Sequence, residues 1–525
     1  MLRRPGRPHG HGRSAIRNSS PTSSSMTSDT TAAAAPHFTP REVSAVIWGA
    51  LLAMSLAALD QTIIATAMPA MARDLGHVAL LSWIVSAYLL TSTCVTPIVG
   101  KLSDLYGRRR MLMGALAVFM AGSALCALSS SMVALILSRA LQGVGGGSLI
   151  TLGQAVIGDV VTPRERARYS GYFSVVFSAA SVLGPTLGGF LSQYWGWPWI
   201  FWINLPLALT ALFIVDRALR KLPVSHRRLP IDYAGITALS GATVALLSVV
   251  TLGGHQIAWS SPGTLALAAA AVVLASLFIW IQWRAQDPVL PPRFMTDAVM
   301  KPLLLASFVI IGTFISTTVL APIYFQVALG LPASESGVLI IPMLVSGSIT
   351  SIFASRYSTR TGRYKRPPLI SLPIAIAALV VMALMATHLT PWIAAVILTV
   401  IGAGIGPTYP ATSVAALNAV APRDMGAASG AVVFARALGS AIMIAVASAL
   451  VLALAAEALP DGGANGLEGL VQTSLGGDAR QTIAQAFGVM FGAAAASLCI
   501  GLALFARIED RELRDKPHAA PATGE

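Results

Sequence analysis

Long apolar segments alternate with short polar ones from about residue 43 to residue 506 of the chain. Each apolar segment has roughly 20 residues or more, the length that an α-helix needs to cross the hydrocarbon core of a bilayer. The segments are rich in Ala, Leu, Gly and Val, and they lack the short alternating pattern of a membrane β-barrel. The pattern therefore predicts an all-α integral membrane protein.

About fourteen segments fit this description, in groups of six, two and six. The first six are Val43–Pro69, Ala79–Gly100, Met111–Ser129, Val133–Val156, Tyr169–Tyr194 and Trp199–Leu219. The middle two are Ile231–Leu252 and Gly263–Trp283. The last six are Leu303–Leu329, Gly337–Tyr357, Pro368–Thr387, Trp392–Leu417, Met425–Leu454 and Ile483–Ala506.

The grouping divides the chain into five parts. Residues 1–42, rich in Pro, Ser and Arg, are predicted to be a disordered tail. Residues 43–219 form a first six-helix bundle, residues 220–300 a linker with two extra membrane helices, and residues 301–506 a second six-helix bundle. Residues 507–525 form a second tail.

The basic residues lie almost entirely on one side of this zigzag. With the N-terminus assigned to the cytoplasm, that side holds 31 of the 35 Lys and Arg residues. The opposite side holds Arg73 and Arg480, while Arg139 and Arg436 lie inside predicted spans. The bias predicts a multi-pass protein of the plasma (inner) membrane with both termini in the cytoplasm. The net charge of +13 thus reflects topology and anionic lipid, and it does not indicate a nucleic-acid partner.

Two halves of the chain resemble each other. VTPRERARYSG at residues 161–171 aligns with VAPRDMGAASG at residues 420–430, and at the same offset GVGGG at residues 143–147 aligns with GAGIG at residues 402–406. YGRRRM at residues 106–111 aligns with TGRYKR at residues 361–366. Repeats of this kind place a binding site between the two bundles, near the midplane of the membrane.

The first predicted span contains one carboxylate, Asp60, within SLAALDQTIIATAMP. An acid inside the membrane is costly and usually faces a cavity or a partner. Its charge then depends on the balance between desolvation and nearby cations, which suits a site that couples protonation to conformation. The alternative is a buried acid that is satisfied by hydroxyl groups such as those of Thr62 or Ser55.

Arg139, early in the fourth predicted span, is the natural counter-charge for Asp60. Gln142 lies three residues further along the same helical face and can share a hydrogen-bond network with it. The alternative is an arginine that extends to a lipid headgroup. Gly143, Gly145 and Gly147 follow and permit close helix packing.

The second half lacks this charged pair. In the repeat, Leu398 corresponds to Arg139, and Asp60 falls opposite an apolar stretch around Phe314. The second half is therefore expected to contribute mainly apolar and hydroxyl-bearing walls. Arg436 is its remaining intramembrane charge. Its partner is left open between a substrate, a lipid phosphate and backbone carbonyls.

Several motifs resemble those of the major facilitator superfamily. GKLSDLYGRRRM at residues 100–111 is similar to the superfamily's signature loop, and SRALQGVGGG at residues 138–147 is similar to its fourth-helix motif. SVLGPTLGG at residues 181–189 resembles the Gly-Pro motif of its antiporters. ALDQTIIATAMP at residues 58–69 and WGWPWIFWINLP at residues 195–206 resemble the fourteen-span drug:proton antiporters, the multidrug and quaternary-ammonium exporter branch.

The resemblance implies proton-coupled efflux of hydrophobic or cationic drugs and toxic compounds by alternating access. Asp60 and Arg139 would couple the proton, and Asp104, Arg108 and Asp159 would form a latch between the halves at the cytoplasmic face. Asp104 is expected to meet the positive start of the helix that begins near Met425. The antiporter motif comprises Gly184, Pro185, Gly188 and Gly189, and a central substrate cavity is assigned to Gln142, Phe314, Tyr324, Tyr409 and Arg436.

Other classes of protein fit less well. The chain has no Gly-Lys-Ser/Thr phosphate loop, so a proton gradient and not ATP is the expected energy source, and no cofactor, metal site or enzyme constellation is predicted. The three cysteines lie in apolar runs. The remaining alternatives are a proton-linked exporter of one endogenous metabolite, an importer, and a non-transporting membrane sensor built on the same fold.

Overall fold

The structure, a computed structural model, describes residues 39–76, 80–220, 231–252, 261–456, 477–511 and 513. Within these ranges the chain is helical and has no β-strand. Fourteen helices in the described ranges are long and apolar enough to cross a membrane. The predicted all-α membrane fold with about fourteen spans is therefore confirmed, while most of the two predicted tails lies outside the described residues.

The membrane helices are numbered here in chain order. The first half consists of α1 Pro40–Ile63, α2 Leu81–Tyr106, α3 Arg108–Ala127, α4 Met132–Val160, α5 Pro163–Tyr194 and α6 Asn204–Ala218. The extra pair is α7 Tyr233–Leu252 and α8 Pro262–Arg284. The second half consists of α9 Met300–Val327, α10 Ile341–Thr361, α11 Arg366–Met385, α12 in two segments Pro391–Ile405 and Thr408–Ala419, α13 Met425–Ala455 and α14 Gly477–Ala506.

The predicted loop between the second and third spans is largely helical. α2 continues to Tyr106 instead of ending at Gly100, and α3 begins at Arg108. Only Gly107 separates them, with a φ of 89° that glycine adopts without strain. Asp104 therefore sits on the last turns of a helix, where its position is fixed by the helix backbone.

The fifth span also begins earlier than the predicted Tyr169. α5 starts at Pro163 because Thr162 caps it: the Thr162 hydroxyl accepts from the Glu165 backbone, and the Glu165 carboxylate accepts from the Thr162 backbone. Proline suits the first position of a helix, since its missing N–H is not needed there. The basic residues that follow Pro163 are therefore helical and not part of a loop.

Each half packs mainly upon itself. In the first half α4 contacts α1, α2 and α3, and α1 also contacts α5 and α6. In the second half α9 contacts α13 and α14, while α11 and α10 contact α12. Glycines make the α4 contacts close, since a Cβ on Gly143 or Gly147 would lie 2.5 Å or less from the α2 backbone. The predicted close packing by these glycines is confirmed.

The halves meet along α2 with α13, α5 with α10, α5 with α12, and α4 with α13. The extra pair packs beside this seam, because α7 contacts both α2 and α13. One group of the described polar contacts between the halves lies at one end of the molecule, which carries Lys101, Arg108, Arg164 and Arg360. We call it the basic end.

Candidate functional site

Asp60 lies on α1 and is completely buried inside the first half. Its Oδ2 accepts a hydrogen bond from Nη1 of Arg139 at 2.6 Å. Its Oδ1 accepts from Nε2 of Gln142 at 2.7 Å and from Nδ2 of Asn204 at 2.9 Å. Three donors, one of them charged, surround a carboxylate that can only accept, so the arrangement suits its ionised form.

Arg139 is held as firmly as Asp60 and is 1% exposed. Its Nη1 also donates to Oε1 of Gln142 at 2.7 Å, its Nε donates to the carbonyl of Ile84 at 3.3 Å, and its guanidinium lies 4.2 Å from the ring centre of Tyr88. The alternative of an arginine extended to a lipid headgroup is therefore wrong for this structure. The predicted partnership of Arg139, Asp60 and Gln142 is present.

The alternative hypothesis, that hydroxyl groups of Thr62 or Ser55 satisfy Asp60, is also wrong. The hydroxyl of Thr62 donates to the carbonyl of Ala180 on α5 at 2.8 Å, and the hydroxyl of Ser55 donates to the carbonyl of Leu51 at 2.8 Å. Both hydroxyls therefore donate to backbone carbonyls and not to the Asp60 carboxylate. The carboxylate instead depends on side chains from α4 and α6.

Asn204, like Tyr88, is a site residue that was not predicted from the sequence. It is 1% exposed, and besides Asp60 it donates to the hydroxyl of Ser123 on α3 at 3.1 Å. It was visible in WGWPWIFWINLP as the one amide in an aromatic and aliphatic run. A lone polar residue in a membrane span usually has a partner, and here the partner is Asp60.

We call these residues the Asp60 cluster (Asp60, Tyr88, Arg139, Gln142 and Asn204). Breaking a buried ion pair by neutralising one member is costly, about 3–5 kcal/mol, because the other charge is left without a partner. Gln142 belongs to this cluster and not to the wall of a cavity.

The Gly-Pro motif brings α5 against α1 beside this cluster. A Cβ on Gly184 would lie 2.1 Å from the Thr62 hydroxyl, and one on Gly188 would lie 2.2 Å from the Ile63 carbonyl. Pro185 lies within the helix between them. Gly189 has nothing within 4 Å of its Cβ position, so this member of the motif makes no close approach.

Asp104 bridges the two halves at the basic end. Its carboxylate accepts from the backbone N–H groups of Gly426 at 3.1 Å and Ala427 at 3.0 Å, which are the first turn of α13. Free N–H groups and the helix dipole make such a terminus attractive to an anion. The predicted contact between Asp104 and the start of α13 is present.

Arg108 completes this group. Its Nη2 pairs with Asp104 at 2.5 Å, its Nε donates to Asp159 on α4 at 2.7 Å, and its Nη1 donates to the hydroxyl of Ser103. Arg108 therefore orients the carboxylate of Asp104 from within the first half. Asp104, Arg108 and Asp159 lie together, as the sequence predicts; their function as a latch is part of the proposal below.

The connector between α8 and α9 forms an ion pair with each of the two halves at the basic end. Asp287 pairs with Lys101 on α2, and Arg293 pairs with Asp424, just before α13, at 2.6 Å. On the other seam, Nε of Arg164 donates to the carbonyl of Thr359 at 2.7 Å. The basic ends of the halves are therefore in contact along both seams.

Arg436 lies on α13 at the boundary between the halves and is 5% exposed. Its Nη2 donates to the carbonyl of Tyr409 at 3.0 Å and to the hydroxyls of Thr412 and Ser413, both at 2.8 Å. Its guanidinium lies 3.9 Å from the ring centre of Tyr409, and that ring is 6.2 Å from the ring of Phe177 on α5. Tyr409 and Arg436 are thus brought together at the seam.

Tyr324 is not a cavity residue. It is fully buried in the core of the second half, its hydroxyl donates to the carbonyl of Ala386 at 2.7 Å, and its ring packs 5.5 Å from that of Phe487 and 5.6 Å from that of Phe491. Its assignment to the cavity is wrong, because an aromatic ring in a membrane helix packs equally well against other rings. Phe314 is half-buried and packs against the same core.

Two helical bundles that meet along a seam, with charged side chains buried inside the membrane helices, are an architecture found in many secondary membrane transporters. The chain matches the family described as Major Facilitator Superfamily over residues 50–444 and belongs to that superfamily. The resemblance carried by its motifs is confirmed.

Curated relatives agree with this assignment. An uncharacterized MFS-type transporter of Mycobacterium tuberculosis is 36% identical over 407 residues, 78% of this chain and 58% of that relative, so the match spans little more than half of the relative's length. The multidrug transporter protein MdtP of Bacillus subtilis is 34% identical over 420 residues, 79% of this chain and 76% of the relative.

A solved structure supports the fold alone. The crystal structure of the human organic anion transporter MFSD10 superimposes with a TM-score of 0.63 at 18% identity, covering 89% of this chain and 100% of that one.

Proposed function

We propose that this protein is a transporter, which exports hydrophobic or cationic small molecules, drugs and toxic compounds among them, across the plasma membrane in exchange for protons. The observation that carries the proposal is the buried ion pair of Asp60 and Arg139, with every carboxylate oxygen bonded. An acid of this kind inside a transporter is a candidate for carrying the coupling proton. The Bacillus relative's name, a multidrug transporter, supports the class of cargo.

The proposed cycle uses the two states of Asp60. Ionised, it holds α1, α4 and α6 together as described above. Protonated, it no longer attracts Arg139, and the first half rearranges so that the proton and the cargo leave on opposite sides. Because Asp60 is shielded from water in this arrangement, proton exchange takes place in another conformation of the halves.

The distribution of Lys and Arg supports an orientation in which the basic end faces the cytoplasm. In that orientation the arrangement described here is closed toward the cytoplasm. Asp104, Arg108 and Asp159 then act as a latch that must open before cargo enters from inside.

Replacement of Asp60 by Asn tests the proposal. Purified protein in liposomes is given an imposed pH gradient, and movement of a fluorescent cation such as ethidium is recorded. We expect gradient-driven transport by the wild type and its loss, about a hundredfold or more in initial rate, in D60N, because an amide carries no titratable proton. The matched control is D74N. Asp74 lies outside the Asp60 cluster, and its carboxylate accepts a hydrogen bond of 3.0 Å from the indole N–H of Trp197. The amide oxygen of an asparagine can accept the same hydrogen bond.

Three outcomes contradict the proposal in different ways. Full gradient-driven transport by D60N would remove Asp60 from coupling. Movement of cargo in the same direction as the proton would make the protein an importer. No movement of a panel of hydrophobic and cationic compounds by the wild type would leave a single-metabolite exporter or a non-transporting sensor.

A further inference from the structure

Two of the buried arginines, Arg139 and Arg436, lie well inside membrane helices, whereas Arg108 and Arg166 lie in the first turns of α3 and α5. The first two differ in their partners. Arg139 has the carboxylate of Asp60 at 2.6 Å. Arg436 has no carboxylate within ion-pair distance among the described residues, and the N–H groups of its Nε and Nη1 have no acceptor there. The Asp60 pair is neutral overall, so Arg436 is the uncompensated charge of the two sites.

An unpaired guanidinium is expensive to bury. Desolvating an ion in a protein costs several kcal/mol, and only a close opposite charge with good hydrogen bonds offsets this cost. The neutral hydroxyls of Thr412 and Ser413 and the carbonyl of Tyr409 all bond to Nη2 and leave the rest of the guanidinium unsatisfied. A ligand that supplies anionic oxygen would satisfy it.

Arg436 lies at about the middle depth of the membrane and at the seam between the halves. It lies eleven residues beyond Met425, which places it about 16 Å along α13 from the basic end at 1.5 Å per residue, near the middle of a 30 Å core. Ser429, seven residues earlier and thus on the same face, donates to the carbonyl of Thr151 on α4 at 3.0 Å. Arg436 therefore projects from the face of α13 that meets the first half.

The packing around α13 changes at this point. Every residue from Met425 to Val433 is buried, whereas Ala437, Leu438 and the residues from Ser440 to Val446 are only partly buried or exposed. Arg436 is thus the last buried charged residue along α13, and it lies where the tightly packed part of this helix ends. A lipid headgroup does not fit this depth, because phosphates lie at the membrane surface and not at its middle.

We infer that Arg436, stacked on Tyr409, binds the carboxylate or sulfonate of an amphiphilic aromatic cargo. The transporter then accepts organic anions and zwitterions in addition to cations. The rings of Tyr409 and Phe177 supply the apolar surface for the body of such a compound, and Nη1 and Nε donate to its anionic oxygen. The inference rests on the proposed export function for its biological meaning, but the binding itself does not depend on proton coupling.

Binding of a matched pair of dyes tests this inference. Rhodamine 110 carries a free carboxylate, and rhodamine 123 is its methyl ester with the same ring system. Dissociation constants are measured by fluorescence anisotropy with full-length protein in lipid nanodiscs. We expect the wild type to bind rhodamine 110 more tightly than the ester. In R436Q the acid should weaken about tenfold or more, the loss of one charged hydrogen bond, while the ester changes less than about twofold.

R480Q is the matched control, because Arg480 is exposed and lies on α14 near Gly330, and its loss changes the net charge equally. It should alter neither dissociation constant. Equal weakening of both dyes by R436Q, or of neither, overturns the inference and leaves Arg436 as a structural tie between α12 and α13. If R436Q does not fold, the wild type decides, since tighter binding of the ester than of the acid also overturns it.

The assay needs neither a gradient nor turnover. Failure of the anion preference therefore leaves the export of cations by proton exchange standing, and failure of the D60N experiment leaves anion binding at Arg436 standing.

Discussion

At the scale of single residues, Asn204 has a specific task, which is to donate to Oδ1 of Asp60 beside Gln142. Replacement by Leu keeps a similar volume and removes that donor. We expect the free energy of unfolding to fall by about 1–3 kcal/mol, the usual cost of removing a hydrogen bond to a charged group. Proton-driven transport should fall as well, because the carboxylate loses one of the groups that hold its ionised form.

Thermal unfolding and liposome transport check this prediction, with N418L as the control. Asn418 is half-buried on α12 in the second half, whereas Asp60 is buried inside the first half. Transport by N204L equal to that of N418L would mean that Asp60 functions without the Asn204 amide.

The Asp60 cluster shows how far single residues can be predicted from sequence. Asp60, Arg139 and Gln142 are charged or polar groups in apolar helices, and the cost of burying them forces them to find partners. Tyr324 carries no such cost, since its ring is satisfied by Phe487 and Phe491 as well as by any cargo. A charge inside the membrane therefore indicates a site, whereas an aromatic ring does not.

At the scale of helices, the contact between α1 and α5 links the Asp60 cluster to the second half. Gly188 approaches the Ile63 carbonyl three residues after Asp60. Further along α5, Ser174 and Ser178 bond to Ser351 and to the Leu344 carbonyl of α10 at 2.8 and 3.0 Å. A movement of α1 on protonation can thus be transmitted to the second half through α5.

Gly188→Ala tests this link, and Gly189→Ala is its control. The new Cβ at 188 would lie 2.2 Å from the Ile63 carbonyl and 2.5 Å from the Thr66 hydroxyl, so the helices must separate, whereas nothing lies within 4 Å at 189. Both changes raise helix propensity by about 1 kcal/mol, so their difference isolates the contact. We expect G188A to lower both Tm and proton-driven transport relative to G189A, as measured by thermal unfolding and liposome flux.

Equal Tm and flux in G188A and G189A would contradict a role for the close α1–α5 contact. The pair is informative because both residues belong to the motif that resembles that of antiporters, and only one of them touches α1.

The sequence predicts helices better than it predicts where they end. Hydropathy locates the fourteen candidate spans of the described residues, because the bilayer imposes their length and apolar character. It misplaces the end of α2, since GKLSDLYGRRRM is polar and yet helical up to Gly107. Polar residues at a helix end face water or a partner helix, and in this case Asp104 needs the helix in order to reach α13.

At the scale of the whole molecule, the halves are closed at the basic end by contacts that the repeat does not duplicate. Asp104 on α2 binds the start of α13, while Thr359 stands at the corresponding position of the second half and offers only its carbonyl to Arg164. The two seams therefore differ in their contacts, with a carboxylate at the start of a helix in one and an arginine bonded to the carbonyls of Thr359 and Arg360 in the other. Loss of the Asp104 carboxylate should open the basic end chiefly along the seam of α2 and α13.

Asp104→Asn tests the latch. The amide keeps the shape of the side chain, but it loses the charge that attracts the first turn of α13 and Arg108. We expect the free energy of the closed arrangement to rise by about 1–3 kcal/mol relative to the open one. The ratio of closed to open molecules should then fall by about 5- to 150-fold. Spin labels at the exposed positions Arg110 and Thr361, in protein whose exposed Cys499 is replaced, report the separation of the halves by pulsed electron resonance.

Asp216→Asn is the control for this experiment, because Asp216 also pairs with basic residues at this end, Arg109 at 2.5 Å and Arg220 at 2.8 Å, but both partners belong to the first half or directly follow it. It removes the same charge without touching the second half. A longer label separation in D104N and not in D216N supports a latch between the halves. Identical distance distributions would mean that Asp104 only caps α13, and that the closed arrangement is held by the backbone packing of Gly100 against Gly426.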